Sequence, residues 1–196
     1  MAEYDPATAL IVVDVQNDFA DPAGSLSVAR AGRILPRIND QVAMARAAGA
    51  AVVYTQDWHP ESTPHFAKGG GIWPVHCVAD TWGAELHPDL VVDGEVIRKG
   101  TNGEDGYSGF TMRDAVTSAM IPTPLEPMLR ERGISRVVIC GLATDYCVNA
   151  TALDARRLGF ETQVLMNAVA AVNLQPGDAE RALTAMADAG AELVGT

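Results

Sequence analysis

Cysteine is scarce in this chain. Three of 196 residues are Cys, and none falls in a C-x-x-C spacing or in a pattern that would build a disulfide framework or a zinc ribbon. This excludes a disulfide-stapled module and a thiol-exchange protein, and it places the chain in a reducing, cytoplasmic compartment. Basic residues are outnumbered, with 14 Lys and Arg against 25 Asp and Glu for a net charge of −11. The sequence therefore lacks the basic footprint that phosphate backbones require, and nucleic acid is excluded as a partner. No apolar run approaches the roughly 18 residues of a membrane span. The apolar stretch 7–13 is too short, too early and too poor in preceding basic residues for a signal peptide. A G-x-G-x-x-G fingerprint is missing, which removes the simplest dinucleotide-binding reading. Without repeats, low-complexity segments or a linker, residues 1–196 read as one domain long enough to bury a sizeable core.

What is present is an alternation of strand-like and helical runs. Residues 7–15 are apolar almost throughout, as in a strand covered on both faces. Leu35, Ile38, Val42 and Ala45 give residues 34–48 a helical period that Gly49 ends. Further strands are expected over 50–55, 95–98, 137–140, 162–166 and 192–194, with helices over 148–158 and 178–189. Gly141 is read as the stop of the 137–140 strand. The pattern predicts an α/β protein of three layers, a mainly parallel sheet of about six strands with helices on both faces. Residues 56–91 form an irregular stretch of a length that is usually functional.

Ligands of open α/β sheets bind beyond the carboxyl ends of the strands. Asp14 and Lys99 close two expected strands, and Cys147 follows a third. With Thr144 or Asp145 as N-cap, Cys147 falls in the first turn of a helix, where unpaired N–H groups and the helix dipole favour a thiolate. A pKa lowered by about two units from about 8.5 would leave most of the thiol ionised at neutral pH. The same position also suits a small buried hydrophobe, and the residues alone leave the two readings level. Cys140 lies inside an apolar strand and reads as inert core; Cys77 follows a histidine in a Trp-Pro-rich loop and reads as either, with a structural role favoured.

The loop after the second strand carries Asp57-Trp58-His59, whose carboxylate and imidazole point to one side of an extended chain. Three of the four histidines, His59, His65 and His76, fall within this loop. One carboxylate with two or three imidazoles suits Zn²⁺, Fe²⁺ or Mn²⁺. His87, between Leu86 and Pro88, stands apart and reads as structural.

Taken in order, Val13-Asp-Val-Gln-Asn-Asp-Phe19, Gln56-Asp-Trp-His-Pro60, Trp73-Pro-Val-His-Cys77, Lys99-Gly100, Tyr107-Ser-Gly-Phe110 and Gly141-Leu-Ala-Thr-Asp-Tyr-Cys-Val148 resemble the motifs of nicotinamidases (pyrazinamidases), which are isochorismatase-like cysteine hydrolases. The resemblance spans essentially the whole chain. The Asp–Lys–Cys set is common to the superfamily, whereas the Asp-x-His and Trp-Pro-x-His-Cys motifs are closer to nicotinamidases. It implies a catalytic triad of Asp14, Lys99 and Cys147, and an oxyanion hole from the amides of Ala143 and Cys147 with a cis peptide before Ala143. It further implies one divalent metal ion, zinc before iron or manganese, held by Asp57, His59 and His76, with His65 a further ligand as in some members. Phe19, Trp73 and Tyr107 match residues that line the substrate pocket. The implied activity is hydrolysis of nicotinamide to nicotinate and ammonia, and of pyrazinamide, through a thioester on Cys147. The alternative is a sister hydrolase acting on isochorismate or on an N-carbamoyl or ureido amide, a branch that works without this metal. The implied partner is a small molecule, with no nucleic acid and no membrane; homo-oligomer formation stays open. Three departures stand out: Tyr146 in place of a common His, an acidic loop over 101–106, and a segment over 112–127 longer than in compact bacterial members.

Overall fold

The computed structural model describes residues 2–195. Six strands, β1 (Thr8–Val13), β2 (Ala51–Asp57), β3 (Glu95–Lys99), β6 (Arg136–Leu142), β7 (Glu161–Ala170) and β8 (Glu192–Val194), form one sheet in the order β3-β2-β1-β6-β7-β8. Every pairing in it is parallel. Two short strands, β4 (Thr111–Arg113) and β5 (Met120–Pro122), make a separate antiparallel hairpin. The helices are α1 (Asn17–Ala20), α2 (Ala31–Ala47), α3 (Leu125–Glu131), α4 (Asn149–Arg157) and α5 (Asp178–Asp188).

Strand geometry divides the core in two. Successive side chains point to opposite faces, so Leu10 and Val12 of β1 join Ile34, Leu35, Ile38 and Val42 of α2. Ala9, Ile11 and Val13 face the other way, toward Leu125 and Leu129 of α3, Ala152 and Ala155 of α4 and Met186 of α5. Both layers are buried, which is why the parallel strands read as continuous apolar runs rather than as alternating ones. No helix among the described residues is long and apolar enough to cross a membrane.

Most boundaries shift by one to three residues from expectation, and three strand ends have a specific local cause. β1 ends at Val13 because Asp14 takes a left-handed conformation, φ 48°, which swings the chain out of the sheet. β6 runs through Gly141 rather than stopping there. A Cβ at Gly141 would lie 2.2 Å from the Val13 carbonyl oxygen, so glycine permits the close approach of β6 to β1. β7 extends to Ala170, because Val169 and Ala170 resume pairing with Gly141 and Leu142 past an irregularity in register. β1 and β6 are neighbours from which the chain departs in opposite directions, so their carboxyl ends form the crevice where such sheets bind ligands.

Candidate active site

Four adjacent strands deliver chemistry to that crevice: Asp14 follows β1, Asp57 and Lys99 close β2 and β3, and Cys147 follows β6. All four side chains are buried. Lys99 sits among the other three. Its Nζ lies 2.9 Å from Asp14 Oδ2 and 3.7 Å from Cys147 Sγ, and it donates a hydrogen bond to Asp57 Oδ1. Carboxylate oxygens of Asp14 and Asp57 and the sulfur of Cys147 all fall within 4.8 Å of one another. Thr55, one of the residues with no expected role, orients Asp14. Its hydroxyl donates to Asp14 Oδ1 at 2.6 Å and accepts from the Asp14 amide at 3.2 Å. Asp14 Oδ2 forms an ion pair with Lys99 at 2.9 Å, and the Asp14 carboxylate also interacts with the Cys147 thiol.

Burial opposes charge on each of these groups, and the neighbours decide which keep it. Asp14 and Asp57 outweigh the desolvation of Lys99 and hold its pKa well above the usual value. For Asp57 burial acts upward, but Lys99 and then His59 more than offset it, so its carboxyl stays well below the usual range. Burial dominates at Asp14, whose pKa is raised despite Lys99. The thiol departs from expectation. Burial, reinforced by the Asp14 and Asp57 charges, drives Cys147 well above the ordinary thiol value, and Lys99 only partly counters it. The expected lowering by a helix start is overridden, and the start itself differs. Residues Thr144–Val148 form a π-helical turn preceded by extended Ala143, with no side-chain cap. Asp145 accepts instead from the amides of Val172 and Asn173, at 3.0 and 2.7 Å, and so ties down the chain after β7. The Leu142–Ala143 peptide is cis.

Beside this set lie three imidazoles. His59, His65 and His76 are buried, and a ring nitrogen of each lies within 4.8 Å of the others. His76 Nδ1 is 2.7 Å from the Pro74 carbonyl; a carbonyl only accepts, so Nδ1 carries the proton and Nε2 presents a lone pair. The same logic applies to His65, whose Nδ1 meets Asp105 Oδ1 at 2.7 Å. Both ring nitrogens of His59 are buried without a partner. Such an orphan costs free energy unless something absent from the protein satisfies it. Burial, against a smaller pull from Asp57, pushes His76 down to about 4, so its ring is neutral, the form a metal ligand needs. Asp57 Oδ2 stands 3.8 Å from His59 Nε2, so one carboxylate faces Lys99 with one oxygen and the imidazoles with the other. These residues fit a divalent cation. His87 lies outside the cluster, with Nε2 3.8 Å from Asp21.

Phe19, Trp73 and Tyr107 line one pocket together with Ala143 and Cys147. Trp73 Nε1 donates to the Tyr107 hydroxyl at 3.0 Å, and the Phe19 ring centroid lies 5.4 Å from that of His76. Tyr146 also reaches the wall, its ring edge-on to Trp73 at 4.9 Å and to Tyr107 at 5.3 Å. Two further buried residues hold the frame. Gln16 brackets Asp57, donating to its carbonyl at 2.7 Å and accepting from its amide at 2.8 Å. Asp18 accepts the Cys77 amide at 2.7 Å, next to His76. Cys77 itself is fully buried structural sulfur, as is Cys140. Gln16 and Asp18 were visible only as two of the polar residues in the motif Val13–Phe19, a signal that names no role.

Comparison with known proteins agrees with this architecture. The isochorismatase domain model matches residues 8–196, and the chain belongs to the isochorismatase family. A nicotinamidase/pyrazinamidase of Mycobacterium tuberculosis is 41% identical over 191 residues, covering 95% of this chain and 97% of its own. The pyrazinamidase of Pyrococcus horikoshii, solved in complex with zinc, superposes with a TM-score of 0.87 at 44% identity, covering 97% of this chain and all of its own. PnC1 from L. infantum, solved in complex with nicotinate, gives 0.89 at 36% identity over all of this chain and 96% of its own.

Proposed function

We propose that this chain is a metal-dependent cysteine amidase that hydrolyses nicotinamide to nicotinate and ammonia, and accepts pyrazinamide. The observation that carries the reading is the pairing of a buried Asp14–Lys99–Cys147 set with a separate cluster of His59, His65 and His76 beside one aromatic-walled pocket. It is supported by the relatives, which include nicotinamidases, a zinc complex and a nicotinate complex. Asp57, His59 and His76, with His65, are the proposed ligands; they would hold a divalent ion, zinc before iron or manganese, which would supply a Lewis-acid partner for a ring nitrogen of the substrate. The sister reading, hydrolysis of isochorismate or of an N-carbamoyl or ureido amide, leaves the orphaned imidazole of His59 unexplained.

Phe19, Trp73 and Tyr107 offer apolar faces to a flat ring. Asp14 takes the Cys147 proton while the sulfur attacks the amide carbon, and the amides of Ala143 and Cys147 receive the developing oxyanion. As the C–N bond breaks Asp14 gives that proton to the departing nitrogen, releasing ammonia; it then takes a proton from water, whose oxygen attacks the thioester and displaces the Cys147 sulfur to give nicotinate. At reference values, moving a proton from Cys to Asp is uphill by roughly 6 kcal/mol. Burial raises both groups here, so it does not close the gap by itself. Proton transfer is therefore coupled to attack, with Lys99 beside the sulfur stabilising the thiolate as it forms, rather than starting from a standing thiolate. Measuring kcat/KM for nicotinamide, pyrazinamide and benzamide at equal metal loading tests the reading. Benzamide lacks the ring nitrogen, and loss of one partner from a site built for it costs up to about 10⁴-fold. Equal values for benzamide and nicotinamide would overturn the substrate assignment.

A further inference from the structure

The loop after β3 holds the feature that the reaction leaves unused. Asp105, one of the acids of the loop over 101–106, is half-buried and is gripped from three sides. Its Oδ1 meets His65 Nδ1 at 2.7 Å and accepts the Gly106 amide at 2.8 Å. Its Oδ2 accepts from the Arg113 guanidinium at 2.7 Å. Asp105 and Arg113 also pair through their backbones, amide to carbonyl in both directions at 2.8 and 2.6 Å, at the end of β4 next to the turn of the β4–β5 hairpin.

The three imidazoles are thus held differently. A backbone carbonyl orients His76, no protein group orients either ring nitrogen of His59, and a charged side chain orients His65. A carboxylate on Nδ1–H fixes the tautomer, stops ring rotation and makes Nε2 a better electron-pair donor. The geometry points to Asp105 as the positioning carboxylate of His65, holding Nε2 toward His59 and His76, with Arg113 fixing Asp105 in turn. This rests on the reading of the three histidines as a metal site. It also gives the hairpin a task, since its first strand supplies the arginine that locks the acid.

The test is zinc affinity of the full chain, stripped of metal and titrated with zinc against a chromophoric chelator. Removal of such a partner weakens metal binding by about 10- to 100-fold, and Asp105→Ala is expected to do so, with Arg113→Met weaker in the same direction. In a His65→Ala background, Asp105→Ala should change affinity less than about twofold, because the residue acts only through that ring. A general structural role would instead give the same loss in both backgrounds, and that result overturns the proposal. Asp105→Asn keeps the shape and an acceptor while removing the charge; it should fall between parent and Asp105→Ala, and it carries the test if the alanine variant does not fold. His59→Ala separates the two levels. Zinc lost in His59→Ala but held at parental affinity by Asp105→Ala overturns this inference alone. Parental affinity in His59→Ala overturns the metal reading and this inference with it.

Discussion

Lys99→Met exposes how the site is held together. The ammonium is buried between Asp14 and Asp57, 2.9 Å from Asp14 and hydrogen-bonded to Asp57. Methionine keeps most of the volume and removes the charge, leaving two carboxylates facing each other away from water. Breaking a buried pair by removing one partner costs about 3–5 kcal/mol. At roughly 2–4 °C per kcal/mol for a chain of this size, the melting temperature should fall by roughly 6–20 °C. The loss should depend on pH, with a definite sign. In the parent, Asp57 is held below its unfolded value, so its contribution is present above the unfolded carboxylate range and is lost as pH falls through the folded value. In the variant, burial and mutual repulsion lift both carboxyls above their unfolded values of about 3.9. The penalty is then full above the raised values and shrinks as pH falls toward the unfolded ones. Scanning calorimetry of chelator-treated protein at pH 8 and pH 5 checks this. A larger deficit at pH 8 is expected; a parental melting temperature at pH 8, or a deficit that grows on acidification, would refute the reasoning.

Cys147→Ala and Cys147→Ser should abolish turnover with the fold intact, whereas Cys77→Ser and Cys140→Ser retain partial activity, as read by ammonia release and circular dichroism. Because burial raises the Cys147 thiol, its iodoacetamide labelling in the free enzyme should be slow at neutral pH and climb through pH 9, yet precede that of fully buried Cys77 and Cys140. A rate already level from pH 6 upward would contradict the raised value. Elemental analysis should find metal lost from His59→Ala and His76→Ala and kept by His87→Ala; the reverse pattern would break the proposed ligand set.

Much of the sheet was legible because strands buried on both faces leave long apolar runs, and 137–140 and 50–55 differ from β6 and β2 only at their ends. The β4–β5 hairpin and α3 were not. Strands of three residues carry no measurable period, and a helix of seven residues that has Pro124 just before it and Pro127 in its first turn carries little more. At the site, Asp14, Lys99 and Cys147 announced themselves by strand ends, and the histidines by their crowding into one loop. Thr55, Gln16, Asp18 and Asp105 did not, because their roles depend on partners about 8 to 59 residues away that only folding brings near. The direction of the Cys147 shift was misread for a related reason. A helix start is visible in sequence, but the depth of burial that outweighs it is not.

The most direct test of the central claim is ammonia release from nicotinamide by the purified chain, with and without a metal chelator. The proposed function requires release in the metal-loaded enzyme, abolished by chelation and restored by added zinc, iron or manganese, while alkylation of Cys147 proceeds in both states. Absence of release from metal-loaded protein, or release that survives complete removal of metal, would contradict it.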